Sequence, residues 1–501
     1  MPRTLPFRAA CAVLLALAGA AGAQEGPGGS APPAPPEASL DPGPGLTGAL
    51  APRAAPDLVI PPPDLPEAPV VITATEQAAA LIQARLADPR FVLAPRIARR
   101  EREAVAAFYA LGGFAPLFVG ETGLTPAGRG VAGRLAAAEE DALDPRAYPI
   151  PAVPAEALSA AALAEAELRL AAAAVLYARD ARGARVDPGR LPKLAAPKLD
   201  LPAADAVLTR LAAAGPAAGV ALQAYNPVHA GYRLMRARLS ALRTRRVTTA
   251  AAEPGVIALA GPPATRPGRS SAEADLIANM ERWRWLPADL GARYVSVNIP
   301  EFRGRVMEGG RVVHDTRVIV GKPDSPTPVF SGNMTYAVVN PSWNIPPSIL
   351  KNEILPRLAR DPGYAARLGY EVVRRGNSIA VRQPPGERNA LGFIKFMFPN
   401  DHAVYLHDTP NRSLFQATKR AFSHGCVRVD HPFDLAEALL GSAWPETRLK
   451  GLIGKGERSI TLARPLPVHL TYFTLVADGG SLRQVADVYG YDARIKAALG
   501  L

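Results

Sequence analysis

Cysteine is scarce in this chain: Cys11 and Cys426 are the two present. Cys426 lies in Ser423-His424-Gly425-Cys426-Val427-Arg428-Val429, and sixteen residues before Ser423 stands His407, in Tyr405-Leu406-His407-Asp408-Thr409. A free thiol with a pKa of about 8.5 is only a few per cent thiolate at neutral pH, so a nucleophilic cysteine needs an imidazole or a positive charge beside it. Two histidines are candidates. His424 is two residues away and can point the same way in an extended segment, but with poor geometry for in-line proton transfer. His407, from a neighbouring strand, can face Cys426 squarely. Gly425 suits a tight backbone that aims N–H groups at a developing oxyanion. Arg428 can raise thiolate character or hold a substrate carboxylate bidentately.

Other chemistry competes for the same residues. His402, His407, Asp408, His424 and Cys426 are all zinc-ligand types, but His/Cys zinc sites usually show closely paired ligands, and one cysteine between Gly and Val is not that spacing. A buried structural cysteine needs neither a His-Gly neighbour nor a basic partner. His229, His314, His431 and His469 stand alone and read as structural or solvated. Trp283, Trp285 and Trp343 read as core, with Trp343 near enough to an inserted segment to touch substrate.

The elements that must position these residues follow from length and composition. A chain of 501 residues holds more than one core. With 48% hydrophobic and 20% charged residues, 52 prolines, 43 glycines and 6% aromatics, it is not a polytopic membrane protein, a coiled-coil rod or a chain disordered throughout, and two cysteines exclude a disulfide scaffold. Residues 1–23 read as a cleavable signal: Arg3 and Arg8, an apolar run from Ala9 to Ala18, then Ala21-Gly22-Ala23 before Gln24. Cleavage would remove Cys11 and leave Cys426 alone in an oxidising compartment, where an unpaired thiol is either buried and inert or kept for its reactivity. The net charge of +12 would fall to +10 with Arg3 and Arg8 gone. Outside the cytoplasm nucleic acid is no partner for such a protein, whereas cell-wall polymers and anionic membrane surfaces are.

Residues 24–72 read as a tether, with 14 prolines between Gln24 and Val70. Residues 73–243 read as a helical scaffold: Glu76 to Leu86, Ile97 to Leu111, a helix opened by Thr125-Pro126 and reaching about Glu140, Ala155 to Arg179, and Ala204 to Ala214. No carboxylate pair or histidine cluster stands out there. Residues 244–272 read as a linker without periodicity. Residues 273–465 begin with a helix, Glu273 to Trp285, and then turn to β-type alternation, Val295, Val297 and Ile299 facing one way and Tyr294, Ser296 and Asn298 the other. Gly309-Gly310 signals a hairpin. Further strands are expected at Thr316 to Val320, Thr335 to Val339, Ser378 to Val381, Ala403 to Leu406 and Ile460 to Leu462, with a helical lid over about 347–381. Residues 466–501 are left as a C-terminal extension. The fold class expected is a multidomain α+β protein: a mainly helical scaffold, then a mostly β domain carrying the lid.

The stretch from Ser423 to Val429, preceded by His407, resembles the catalytic motif of L,D-transpeptidases. The lead-in Gln383-Pro384-Pro385-Gly386-Glu387-Arg388-Asn389-Ala390-Leu391-Gly392, with Lys395-Phe396 and Tyr405 to Pro410, is similar too. So are Ala278 to Trp285, Val339 to Pro346 and the tail Leu466 to Phe473. Together, over about residues 76–495, they resemble the large periplasmic subfamily of Gram-negative bacteria with a helical scaffold domain. The resemblance implies Cys426 as nucleophile and His407 as general base, its ring oriented by the Asp408 carbonyl. It implies Ser423, His424 and Gly425 around the oxyanion, Arg428 supporting the loop or a carboxylate, and Trp343 and Tyr405 against substrate. The substrate implied is a peptidoglycan stem tetrapeptide joined in a 3→3 cross-link, in the periplasm, with no cofactor and no metal; carbapenem acylation and cell-wall synthesis partners are implied as well. Relatives of this size often carry a peptidoglycan-binding module where this chain has only 244–272. Two other readings keep the fold: an L,D-carboxypeptidase or amidase that uses water, and a non-catalytic wall-binding protein.

Overall fold

A computed structural model describes residues 72–153, 158–251, 270–375 and 378–501. The signal, most of the tether and residues 252–269 of the linker lie outside the described residues. Val70–Leu501 forms one unit.

Its first part is helical because local signals start each helix and an apolar stripe buries it. Helix α1 (Ala74–Ala87) opens on a capping box between Thr73 and Glu76, α2 spans Arg99–Leu111, and α3 (Pro126–Ala136) begins with Thr125 as cap and Pro126 in the first turn. A small hairpin, β1 (Val119–Gly120) and β2 (Gly123–Leu124), precedes α3. Helix α4 (Ala160–Asp180) is the axis of the bundle: an Ala/Leu-rich helix, buried along most of its length, packed against α1, α3 and α5 (Ala204–Ala214). Its mid-helix buried carboxylate, Glu167, accepts from the Leu117, Phe118 and Val119 N–H groups and the Tyr109 hydroxyl, so it fastens the hairpin. Helix α6 covers Ala218–Gln223.

Helix α7 runs Ala230–Ala251, so the stretch from Thr244 expected to be linker continues as helix for another two turns. Thr, Arg and Ala there suit a helix well enough once α7 is nucleated, since propagation is easy compared with initiation. Helix α8 (Ser271–Arg284), capped by Ser270, follows. Its last residue, Arg284, is 1% exposed and reaches Glu281, the Tyr232 hydroxyl and the Asp141 carbonyl, tying α8 to α7 and to the turn after α3 through a paired buried charge.

The β part is a closed sheet. Strands β3 (Arg293–Asn298), β4 (Arg303–Glu308), β5 (Arg311–Gly321), β6 (Phe330–Val339), β10 (Ile394–Met397), β11 (Leu406–His407), β12 (Ala421–Ser423), β13 (Val427–Val429) and β14 (Arg458–Thr471) lie in the order β12-β5-β13-β11-β10-β6-β14-β3-β4. Strand β4 also pairs with β5, which closes the ring and leaves β12 outside it. Long β5 makes this possible, its first half bonding β4 and its second half β13. Val295, Val297, Val318, Val320, Phe396, Leu406 and Val427 fill the interior, joined by Val186, Leu191 and Ala195 from the segment after α4. Because β14 pairs with both β6 and β3, residues 466–471 are a wall of the ring and not the start of an extension.

The inserted segment is less helical than expected. A helical run from Pro347 to Arg360, with a π segment at Leu350–Ile354, and a short turn at Tyr364–Arg367 lie between β7 (Trp343–Asn344) and the strands β8 (Glu371–Arg375) and β9 (Ser378–Gln383), which form a three-stranded sheet ordered β7-β9-β8. The helical backbone runs on through Pro356 to Arg360, and the Asp361-Pro362-Gly363 turn ends it, so the helical part of the insert stops well short of 381.

Candidate active site

Strand register builds the site. In the parallel pair β11/β13, Leu406 faces Val427 and His407 faces Arg428. Leu406 and Val427 point into the ring, so His407 and Arg428 share the outer face. Tyr405 and Cys426, one residue earlier on each side, lie on that face too, and the Val427 N–H bonds the Tyr405 carbonyl at 3.1 Å. Cys426 and His407 are therefore neighbours on one surface. The outer row continues across five strands as Val338, Lys395, His407, Arg428 and Ile319. An imidazole stands between two cations, with an apolar residue at each end.

His407 is 5% exposed, and its Nδ1 lies 2.5 Å from the Asp408 carbonyl oxygen. A carbonyl only accepts, so Nδ1 carries the proton and Nε2 is left with the lone pair a base needs. Burial, then the charge of Arg428, pushes the ring pKa down to about 3 against the pull of the Asp408 carbonyl, with Lys395 adding to the decrease. Cys426 is half-buried, and its Sγ lies 3.9 Å from the Ala403 carbonyl. Burial pushes the thiol up to about 11, outweighing the Tyr405 N–H and Arg428. The resting pair at neutral pH is thus thiol and neutral imidazole, with the charged state left to form as a carbonyl arrives.

Asp408 acts through both its ends. Its carbonyl holds the ring, and its carboxylate accepts from Phe393 N–H at 2.9 Å, Thr409 N–H at 2.6 Å and Arg412 at 2.5 Å. Burial raises this carboxyl and those donors oppose the rise. Gly392, at φ +58°, is required here because a Cβ would sit 2.3 Å from the Asp408 carboxyl.

The loop before Cys426 differs from expectation at two positions. The Gly425 N–H does not aim outward: it donates to Ser423 Oγ at 3.1 Å, while the Ser423 hydroxyl donates to the Cys426 carbonyl at 2.5 Å and the Gly425 carbonyl accepts from Thr327. Ser423 and Gly425 thus shape the loop, and Gly425 meets this demand at φ +113°. His424 does not face the thiol. Its Nε2 lies 2.7 Å from Glu353 Oε1 in the inserted segment.

The buried Nε of Arg428 has no hydrogen-bonding partner among the described residues. Trp343 in β7 stands beside the Tyr405 hydroxyl, so these two rings link the lid to the nucleophile's strand pair. His402 packs at a tilt on Phe330, ring centres 4.9 Å apart, His469 bonds Ser331 and Leu290, and His229 bonds Pro287, so these side chains are engaged elsewhere. Among the described residues no group of three or more His, Cys, Asp or Glu is placed to hold a metal ion.

Lys395 and Glu353 carried no role in the sequence. The alternation Ile394-Lys395-Phe396 could have shown that Lys395 faces away from the core, beside His407. Burial lowers its pKa, and its ammonium lies 6.0 Å from the centre of the Tyr405 ring. No local signal marks Glu353, because its contact comes from 71 residues away in the chain.

Residues 292–454 match the L,D-transpeptidase catalytic domain of the YkuD family, and residues 103–239 match a scaffold domain. A Haemophilus influenzae protein named "Putative L,D-transpeptidase" is 36% identical over 242 residues, covering 44% of this chain and 49% of that protein. The chain thus spans about half the length of that curated relative. Among solved structures, the L,D-transpeptidase from Mycobacterium smegmatis is 15% identical, covering 36% of this chain and 58% of that one at TM-score 0.21. L,D-transpeptidase 3 from Mycobacterium tuberculosis is 14% identical, covering 36% and 61% at TM-score 0.20. Overlaps at such scores carry no argument. Residues 292–454 thus carry an L,D-transpeptidase catalytic domain, set behind a scaffold domain at residues 103–239.

Proposed function

We propose that the protein is an exported, periplasmic cysteine acyltransferase that joins peptidoglycan stem peptides through a 3→3 cross-link. The observation that carries this is the shared outer face of Cys426 and His407, with Nδ1 engaged by Asp408 and Nε2 left as acceptor. In the first half-reaction Sγ attacks the carbonyl of the third-residue diamino acid of a tetrapeptide, and the thiol proton passes to His407 Nε2. The C–N bond to the terminal D-Ala breaks, its amine takes that proton, and a thioester remains on Cys426. In the second, the amine of another stem attacks the thioester, the C–S bond breaks, and the proton returns through His407 to sulfur. Arg428, with its unpartnered Nε, is placed to meet a substrate carboxylate, and Trp343 and Tyr405 line the approach under the lid. Stem peptides are the partners this needs, with cell-wall synthesis proteins as further candidates.

Because Cys426 keeps part of its surface in solvent, water can reach a thioester there, so hydrolysis to a tripeptide is the second reading. Mass spectrometry of purified protein with tetrapeptide muropeptides separates them. Dimers lacking one D-Ala indicate transfer, tripeptides alone indicate hydrolysis, and unchanged substrate refutes both and leaves a wall-binding role. Cys426→Ala is expected to abolish the acyl adduct while leaving circular dichroism intact.

A further inference from the structure

Transfer needs a second stem held close enough to out-compete water, and this chain presents a cleft walled in part by the turn whose next carbonyl lies against the thiol. It lies between the helical part and the ring, has a volume of about 780 Å³, and is lined by Arg182, Lys198, Arg210 and Tyr225 on one side and by Phe330 and His402 on the other. Small-ligand clefts run to roughly 300–1,000 Å³, so a peptide of a few residues fits.

Its two ends are differently built. On the scaffold side the Arg210 guanidinium lies over the Tyr225 ring, 4.9 Å from its centre, and Arg182 is fixed by the Leu286 carbonyl at 2.9 Å. On the ring side Phe330 and His402 form an aromatic pair. The rim also carries Asp200 and Asp401, so the lining is of mixed charge with an excess of cations. A stem peptide that carries several carboxylates and one side-chain amine is mixed in the same way, with an excess of anions.

The shared wall is the turn from Asn400 to Val404. The Asn400 side chain accepts from His402 N–H and Val404 N–H and donates to the Val404 carbonyl, which makes the turn rigid. Asn400 to His402 line the cleft, while the carbonyl of the next residue, Ala403, is the group 3.9 Å from Cys426 Sγ. One turn of backbone therefore separates the cleft from the sulfur.

We infer that this cleft is the acceptor site: it binds the second stem peptide, carboxylates toward Arg182, Lys198 and Arg210, and delivers its amine past the Asn400–Val404 turn to the thioester. This rests on the acyltransferase reading above and goes further by placing the acceptor on the seam with the scaffold. The scaffold then has a part in the reaction, and the chain can hold a second strand without a separate wall-binding module. The step balances: the acceptor nitrogen bonds the acyl carbon, the C–S bond breaks, and one amine proton reaches sulfur through His407.

The test measures how the acyl-enzyme divides between dimer and tripeptide in the full chain supplied with tetrapeptide muropeptides. Lys198→Glu/Arg210→Glu reverses the cleft's charge, and Val228→Trp, at a position 61% exposed on the cleft rim, obstructs it. Each is expected to lower the dimer-to-tripeptide ratio at least fivefold while intact-mass spectra still record acylated Cys426. Arg311→Glu/Arg494→Glu makes the same change in net charge away from the cleft and is expected to leave the ratio in place. A ratio unchanged in either cleft variant, or lowered equally by the control pair, overturns the acceptor site. A wild-type chain that acylates but gives tripeptide alone also overturns it and leaves the thioester chemistry standing; a wild-type chain with no acyl adduct refutes the underlying reading itself, and the acceptor site with it.

Discussion

His424 and Glu353 meet at 2.7 Å, and this contact ties the nucleophile's loop to the inserted segment. Both side chains are 36% exposed, so the pair resembles a surface ion pair worth about 0–1 kcal/mol. Its consequence is positional. It joins the residue two before Cys426 to a lid whose own core is small, built around Ile345, Ile354 and Val381. Glu353→Gln is expected to leave global stability within about 1 kcal/mol of wild type. It should speed proteolytic cleavage within residues 347–368 and lower turnover by no more than about fivefold. Limited proteolysis alongside muropeptide kinetics checks this; an unchanged cleavage rate would remove the latch.

The thiol and imidazole define a pH signature. With Cys426 pushed up to about 11 and His407 down to about 3, both are neutral over the whole interval between. Alkylation by iodoacetamide is therefore expected to rise about tenfold per pH unit from pH 7 to 10, following the thiolate fraction. A plateau from about pH 5 to 8 would instead mean a preformed thiolate–imidazolium pair. For stability the sign runs with His407: its folded pKa lies below the unfolded value of about 6.5, so the unfolded chain binds the extra proton and stability is lost as pH falls from there toward 3. His407→Gln should flatten that part of a urea-denaturation series.

Gly392 supports the base from behind. Alanine there would be strained at φ +58° and would meet the Asp408 carboxyl, which anchors Phe393, Thr409 and Arg412. Gly392→Ala is expected to cost about 2–4 kcal/mol by urea unfolding, combining backbone strain with displacement of a buried carboxylate. Asp408→Asn keeps the backbone carbonyl that holds His407 and should cost less in turnover than Gly392→Ala. The opposite order would show that the carboxylate's charge matters more than its place.

Ser423 is 2% exposed and serves two backbone groups at once, Gly425 N–H and the Cys426 carbonyl. Ser423→Ala removes both bonds and leaves those groups to find others, at about 1–3 kcal/mol. The loop's loss of shape should lower kcat about ten- to a hundredfold with a smaller change in KM, whereas Ser423→Thr should restore part of kcat. Equal losses from both variants would mean that the site is limited by space and not by the hydroxyl.

Much of the site is legible in the residues themselves. A lone thiol at Cys426 in a His-Gly-Cys setting, with His407 one strand away, names the nucleophile and its base, since few residue types can activate sulfur at neutral pH. Alternation through Val295 and Val297 marks a β region, and Thr125-Pro126 marks the start of α3, because capping and side-chain period are local properties. What the sequence could not yield are relations set by distant segments. Closure of the ring depends on β5 bonding β4 with one half and β13 with the other. The row Lys395, His407, Arg428 depends on the register of three strands, and His424 turns to Glu353 because the inserted segment happens to lie over it. The cleft at the seam exists only once the helical part docks on the ring. Side-chain chemistry is written in residue type and near spacing; which groups meet is decided by strand register and packing between parts far apart in the chain.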